Sequence, residues 1–432
     1  MLSTIFMSAY GVAMLLLFVI AVTTLAWMLD SWRTPWAVGQ MPFPVPDTPQ
    51  LSFSLIVPAR HEEAVLADTV QRLLRQNHPA LQVVLVVGDD DPGTTAVARA
   101  LADADLRVVV VVDDSVPKNK PKALNRALPH CTGQIVGVFD AEDEVALELL
   151  THVDACFRAT GAHVVQGGVQ LMNYRSSWWS LRNTLEYFFW FASRLHFHAR
   201  NGFIPLGGNT VFVRADLLRL VGGWDVDCLA EDCELGIRLS VAGARVAVSY
   251  SPALATREET PPTLKGLLKQ RTRWNQGYLQ VLRKGEWRKL PTRGKRLTAR
   301  YLLAMPFAQA FAGVLVPVSL ATMIGLKAPT PFVMFTLLPL APTLATIVVE
   351  MAGLAEFDRM FGLDARLRDY AKLVVGSAAY QLVLAAAAIR ATAREIHGER
   401  GWEKTEHVGA HRVVELADAP GTPAAAPSGG VL

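Results

Sequence analysis

Ile135-Val136-Gly137-Val138-Phe139-Asp140-Ala141-Glu142-Asp143 is the stretch that decides the fold. An apolar run too short for a helix ends abruptly in carboxylates. Three earlier runs share the design: Phe53–Val57 leads into Pro58-Ala59-Arg60-His61-Glu62, Val83–Val87 into Asp89-Asp90-Asp91, and Val108–Val112 into Asp113-Asp114. They recur about every 25 to 30 residues and enclose helical patterns at Ala64–Arg75 and Thr94–Ala102. Short apolar runs alternating with helices predict an α/β domain on a parallel sheet covered on both faces. Ligands of such sheets sit outside the carboxyl ends of the strands. A turn-forming Asp accounts for one acidic strand end, but hardly for four in succession.

The chain has 432 residues, room for one large domain plus further elements. Its 51% hydrophobic content and mean hydropathy of +0.26 place part of it in lipid. A net charge of +3 argues against a nucleic-acid partner, and its distribution says more than its size. Between Arg257 and Arg300 stand thirteen Lys/Arg against three Glu, just before a hydrophobic run. Such a cluster marks the cytoplasmic side of a membrane span and favours anionic headgroups. Four cysteines (Cys131, Cys156, Cys228, Cys233) suggest reduced, buried thiols rather than a disulfide framework.

Ala9–Leu29 carries no charge and is long enough to cross about 30 Å of hydrocarbon. With no basic n-region before it and no small-residue cleavage site after it, it reads as a retained anchor. Leu302–Leu326 and Phe332–Val349 are two further spans, and Leu373–Ile389 is ambiguous in length and composition. The chain therefore divides into an anchor (1–33), a Pro-rich linker (34–50), a cytoplasmic domain (51–295), two spans (296–351), an interfacial helix with a loop (352–410) and a disordered tail (411–432). Charge after Leu373–Ile389 predicts an interfacial helix there and a cytoplasmic C-terminus. Apolar residues at helical spacing from Trp178 to Leu195, with extra aromatics, predict another interfacial helix; a core helix is the alternative.

The polar clusters fit one chemistry. Moving a sugar off a nucleoside diphosphate requires that the diphosphate be neutralised, that the acceptor hydroxyl lose a proton, and that both be held in line. Asp140 and Glu142, two residues apart at a strand end, suit a divalent ion, Mg²⁺ or Mn²⁺, that also takes diphosphate oxygens. Asp232, beside Glu231 before the helical run Leu235–Leu239, is the candidate base for an inverting displacement; standing alone, it would read as a helix N-terminal carboxylate. Gly207-Gly208-Asn209 offers a donor loop. Gln270, Arg273 and Trp274 offer an amide, a fixed cation and a flat aromatic face.

In this order the clusters resemble those of the membrane-integrated family-2 glycosyltransferases with a GT-A, Rossmann-like catalytic domain, the group containing cellulose, hyaluronan and poly-N-acetylglucosamine synthases. The resemblance runs from about Ser52 to Tyr278. It implies nucleotide-binding roles for Ala59, Glu62, Asp89, Asp90 and for Lys120, which matches the lysine of Gly-Lys-x-x-Ala-Leu-Asn. Asp140-x-Glu142 corresponds to D-x-D, Asp232 to the base of T-E-D, and Gln270–Trp274 to Q-x-x-R-W. Two departures stand out. The second metal carboxylate is Glu, which leaves Glu142 and Asp143 as rivals for that role, and Ala230 replaces the T of T-E-D. Trp402, Lys404 and Thr405 resemble a W-x-K-T motif and suggest a gating loop over the nucleotide, an ordinary amphipathic tail being the alternative.

The expectation is a multi-pass membrane enzyme with its GT-A domain inserted between transmembrane helices and flanked by amphipathic interfacial ones. It is an inverting, metal-dependent glycosyltransferase using a nucleotide sugar, a UDP-sugar first. It extends a polysaccharide processively; the alternative is transfer of one sugar to a lipid acceptor. A catalytically silent sensor or a transporter is the reading from another class, and the intact base and carboxylate pair speak against it.

Overall fold

The computed structural model describes residues 2–32, 48–325, 330–399 and 401–403. Lys404, Thr405, most of the linker and the C-terminal tail lie outside the described residues. The chain opens with helix α1 (Leu2–Leu29) and enters an α/β domain at β1 (Phe53–Ala59). Then come α2 (Leu66–Leu74), β2 (Leu81–Gly88), α3 (Pro92–Ala104), β3 (Val108–Asp113), α4 (Lys120–Ala127), β4 (Ile135–Val138), α5 (Leu149–Thr160), β5 (Val164–Gly167) and β6 (Val169–Leu171). Next are α6 (Ser180–Phe189), a π-helical turn (Trp190–Arg194), α7 (Leu195–Arg200), β7 (Val211–Arg214), α8 (Ala215–Leu220), α9 (Glu231–Val241), β8 (Val246–Ser249), β9 (Thr256–Glu258) and α10 (Leu264–Lys284). The C-terminal part is helical: α11 (Arg293–Leu303), α12 (Met305–Gly325), α13 (Thr330–Leu337), α14 (Leu340–Phe361), α15 (Leu367–Val375) and α16 (Ser377–His397).

Seven strands form one sheet in the order β3-β2-β1-β4-β7-β5-β8, with β6 and β9 paired apart. The four strands expected from the apolar runs are parallel and adjacent, and β7 alone runs antiparallel to its neighbours β4 and β5. Side chains alternate between the faces, so one strand feeds two cores. Leu55, Val57, Val83, Leu85 and Ile135 pack with α2 and α5 residues such as Leu73 and Phe157. Ile56, Val84, Val86, Val136 and Val138 join Leu124 of α4 and Leu185 and Phe188 of α6 on the other side. All four cysteines are free and buried.

Among the described residues, Ser8–Trp32 and Thr330–Phe361 are long and apolar enough to cross a membrane. Two bent pairs add one span each if counted as single elements: α11 with Met305–Ala321 of α12 (46°), and α15 with α16 (48°). The segment Leu373–Ile389 is therefore not one helix; it breaks at Gly376, where α15 ends and α16 begins.

Polar joints tie these helices to the α/β domain. At the end of α1, Asp30 pairs with Arg200, and Ser193 Oγ donates to the Trp27 carbonyl. On α6, buried Arg182 donates to both oxygens of Glu350 on α14 (3.0 and 2.9 Å) and to the Leu373 carbonyl on α15 (3.0 Å). Losing one partner of such a pair costs about 3–5 kcal/mol, because the other is left buried and charged. The aromatic helix expected at an interface is thus enclosed: Phe188, Phe189, Phe191 and Leu195 are all buried. It is the joint between the sheet and the C-terminal helices.

Candidate active site

Register places the candidate residues along one edge. Phe53 aligns with Leu81 on β2 and with Ile135 on β4, so the carboxyl ends of these strands open together. After β2 the three aspartates divide their work. Asp91 caps α3, accepting from Thr94 N (3.2 Å) and from His61 N (2.5 Å). Asp89 and Asp90 stay half-exposed, paired with Lys118 and Arg60 at 2.6 Å each. Ala59, the buried last residue of β1, and Glu62 lie on the same rim.

Lys120 is the centre of the site. It opens α4, whose first turn is fixed by Asn119: that side chain accepts from Lys122 N (3.0 Å) and donates to the Val226 carbonyl (2.8 Å). The Lys120 ammonium pairs with Asp140 and donates to the Gly208 carbonyl (3.0 Å). Burial alone would discharge it, but Asp140, Glu231 and Asp143 outweigh burial and hold its pKa above the ordinary lysine value. One cation thus joins the acidic turn after β4, the glycine loop before β7 and the start of α9.

The acidic turn separates the two rivals for the second carboxylate. Asp143 points inward, fully buried, and accepts from Asp140 N (2.8 Å) and Asn209 Nδ2 (3.1 Å). Asn209 also donates to Glu258, a residue with no sequence signal, and burial together with Glu258 and Asp140 raises the Asp143 pKa. Glu142 is left beside Asp140; burial, then Asp140 and Glu62, push it up to about 8. Among the described residues no three His, Cys, Asp or Glu side chains gather closely enough to hold a metal unaided.

Glu231 and Asp232 form the first turn of α9. Asp232 accepts from Cys233 N (2.7 Å), and burial raises its pKa against the opposing pull of that bond, Lys120 and Arg273. A Cβ at Gly208 would come 3.2 Å from Asp232 Oδ2, so glycine lets the loop pass tightly over this carboxylate. Ala230 packs against Gly277 of α10, where a Cβ would lie 2.6 Å from the Ala230 nitrogen. Gln280 of α10 also accepts from Leu229 N (2.9 Å). The start of α9, with the candidate base Asp232, is therefore seated on the helix that carries the Gln270–Trp274 cluster.

On that helix Gln270 is buried with its carbonyl oxygen unpaired. The Arg273 guanidinium lies 4.5 Å from the centre of the Trp402 ring, which brings the C-terminal motif to the site; Lys404 and Thr405 are outside the described residues. Trp274 lies 6.2 Å from Tyr187 and 4.7 Å from the Arg271 guanidinium. Arg271, Glu186 and Tyr380 are further members that sequence reading missed, because their partners are distant in the chain.

Glu231 gives a measurable consequence. Burial first, and Asp232 next, push it from an ordinary 4.5 to about 7. Between those values the folded chain keeps a proton that the unfolded chain has released, so this group removes stability as pH rises from about 4.5 through 7. Glu231→Gln should melt above the parent at pH 8 in EDTA, and the gap should close towards pH 5. Thermal unfolding at both pH values checks this; an equal or lower midpoint at pH 8 contradicts it.

Comparison with known proteins gives the family and the fold. The chain is 30% identical over 232 residues to the beta-monoglucosyldiacylglycerol synthase of Trichormus variabilis, covering 52% of this chain and 49% of that protein. It is 24% identical over 249 residues to the poly-beta-1,6-N-acetyl-D-glucosamine synthase of Staphylococcus epidermidis, covering 56% and 58%. The chain thus matches about half the length of these curated relatives. A solved mannosyltransferase from Pyrobaculum calidifontis, in complex with GDP-Man and Mn²⁺, shares the fold with a TM-score of 0.53 at 20% identity, over 91% of this chain and 99% of that one. Residues 49–277 match the family described as "Glycosyltransferase like family 2", and the chain belongs to that family.

Proposed function

We propose that this glycosyltransferase moves one sugar, with inversion, from a nucleoside-diphosphate donor to a lipid hydroxyl at the membrane surface. The observation that carries the reading is the Lys120–Asp140–Asp232 constellation at the strand ends, seated on α10. The Ala59–Glu62 and Asp89–Asp90 rims hold the nucleoside, with a UDP-sugar as the first donor to try. Lys120 and Arg273 face the diphosphate. Gln270 accepts a hydrogen bond from a sugar hydroxyl, and Trp274 offers its face to a ring.

Asp140 and Glu142 suit a divalent ion. Both are hard oxygen donors, and the raised pKa of Glu142 marks a pocket short of positive charge. Mg²⁺ or Mn²⁺ held there would supply charge to balance the departing diphosphate. The reaction itself is one displacement. The acceptor oxygen attacks the anomeric carbon, the bond from that carbon to the diphosphate oxygen breaks, and the acceptor proton passes to Asp232. Burial prepares Asp232 for this by raising its proton affinity.

Two observations support a lipid acceptor. The relative from Trichormus variabilis is named for a glucosyl diacylglycerol. Helix α16 meets the Gln270 end of α10 through Tyr380 and Leu384 against Leu267, and meets the apolar α12 through Ala385 against Gly313, which supports an acceptor presented from the lipid side. Polysaccharide extension is the second reading, supported by the Q-x-x-R-W pattern and by the Staphylococcus epidermidis relative. The product of a nucleotide-sugar screen with diacylglycerol vesicles separates them: a labelled glycolipid in the organic phase is expected, and high-mass polymer alone would favour the second reading.

The same packing supports a cytoplasmic tail. Tyr380, near the start of α16, meets Arg271 of α10; Glu395, near its end, pairs with Arg283 of α10 at 2.9 Å. Contact with α10 at both ends supports an α16 that stays with the domain, packed also on α12 where Ala385 meets Gly313. In this reading α1, α12 and α13–α14 make three crossings, with the N-terminus outside.

Two outcomes follow. Asp232→Asn should lose about 100-fold or more in turnover, the usual worth of a positioned base, while UDP still protects it against thermal unfolding; normal turnover would exclude Asp232 as the base. A cysteine at Ile396, 78% exposed, in a background without the native thiols should resist an impermeant reagent outside intact cells. Labelling there would place the tail outside.

A further inference from the structure

We propose that Arg271 is a positioning residue for the acceptor, fixing the plane of Trp274 through a buried junction of three helices. The inference rests on the transferase reading above and adds a residue outside the Gln270, Arg273 and Trp274 positions. Arg271 lies one turn before Trp274 on α10, with its guanidinium 4.7 Å from the indole centre. It cannot turn away, because its Nη2 donates to Asn183 Oδ1 and Glu186 Oε2, both on α6. Asn183 is itself held, donating to Thr260 Oγ1 at 2.8 Å. From α16, the fully buried Tyr380 donates its hydroxyl to the same Glu186 oxygen at 2.9 Å and lies 3.4 Å from Arg271 Nη2.

Tyr187 of α6, 6.2 Å from Trp274 and tilted by 44°, completes the setting. The indole thus has neighbours on α6 and on its own helix, and the latter, Arg271, is held by α6 and α16. Arg suits this role where Lys does not. Its planar, always-charged guanidinium can lie over the ring and donate to two acceptors at once, whereas an ammonium acts as a hydrated point charge. Asn183 and Tyr380 are buried and Arg271 is mostly so, while Glu186 keeps about a third of its side chain exposed, so salt weakens this pair only in part. A sugar or headgroup ring stacking on Trp274 would therefore meet a face whose angle is set before binding, which reduces the ordering cost of binding.

The test is a double-mutant cycle on steady-state kinetics, with nucleotide release measured both with and without acceptor. Arg271→Lys should raise the acceptor KM about tenfold, the scale of a desolvated cation–π contact, with a much smaller change in the donor KM. Tyr380→Phe, which keeps shape and loses one hydrogen bond, should raise it about threefold. In a Trp274→Ala background, Arg271→Lys should add nothing further, because its effect runs through the indole. Additive effects, or a donor KM that moves in parallel, would overturn the assignment and leave Arg271 a general structural pin. Tyr380→Phe carries the test if Arg271→Lys folds poorly. A parent enzyme that transfers to no acceptor would contradict the proposed function itself, and this inference with it.

Discussion

One buried ammonium group against many carboxylates is the constraint on which this site depends. Lys120 faces Asp140, Asp143 and Glu231, while Glu62 and Glu142 crowd the same turn and Glu258 stands behind it. Burial comes first in raising the proton affinities of Glu142, Asp143, Glu231 and Asp232; neighbouring carboxylates add to it at the first three, while Lys120 and Arg273 oppose it at Asp232. A diphosphate would bring still more negative charge. In the proposed reading a nucleotide sugar enters with an added cation, and the Asp140–Glu142 pair is the candidate place for a divalent one.

Helix α10 ties the charged pocket to the C-terminal helices. Through Gly277 and Gln280 it supports the loop before Asp232, the candidate base, and it carries Gln270–Trp274, the candidate acceptor platform. Its outer side is held by α16, where Arg394 donates to Gln276 Oε1 (3.0 Å) and Gln276 donates to the Glu399 carbonyl (2.5 Å). Arg390 binds both oxygens of Glu403 (2.8 and 2.7 Å), beside the Trp402 that covers Arg273. The candidate donor cation, base and acceptor face therefore share one support, which continues by α11 into the apolar α12.

Much of this was legible in the chain. The four long apolar runs announce themselves because strands buried on both faces read as continuous Val, Leu and Ile. Acidic strand ends and the Glu231-Asp232 pair were visible for the same reason: they are local. What escaped notice is either short or remote. Strands β5 to β9 have only three or four residues each, too few to show a period, and the reversal at β7 leaves no sequence mark. Glu258 meets Asn209 across 49 residues and Tyr380 meets Glu186 across 194, so neither partner could be inferred from spacing. The rivalry between Glu142 and Asp143 also needed geometry, since only the fold shows Asp143 turned inward onto Asp140 and Asn209. The helix from Trp178 to Leu195 has the pattern of a surface helix because its polar face is used too, by Arg182 and Glu186 reaching the C-terminal helices.

The central claim is that charge balance in this pocket requires a divalent cation and a nucleoside diphosphate together. Titration of Mn²⁺ into the purified protein, followed by calorimetry with and without saturating UDP, tests it most directly. Weak binding without UDP and binding at least about tenfold tighter with it is the predicted result, because two protein carboxylates leave coordination positions for diphosphate oxygens. Equal Mn²⁺ affinity in the two titrations, or none in either, would contradict the account.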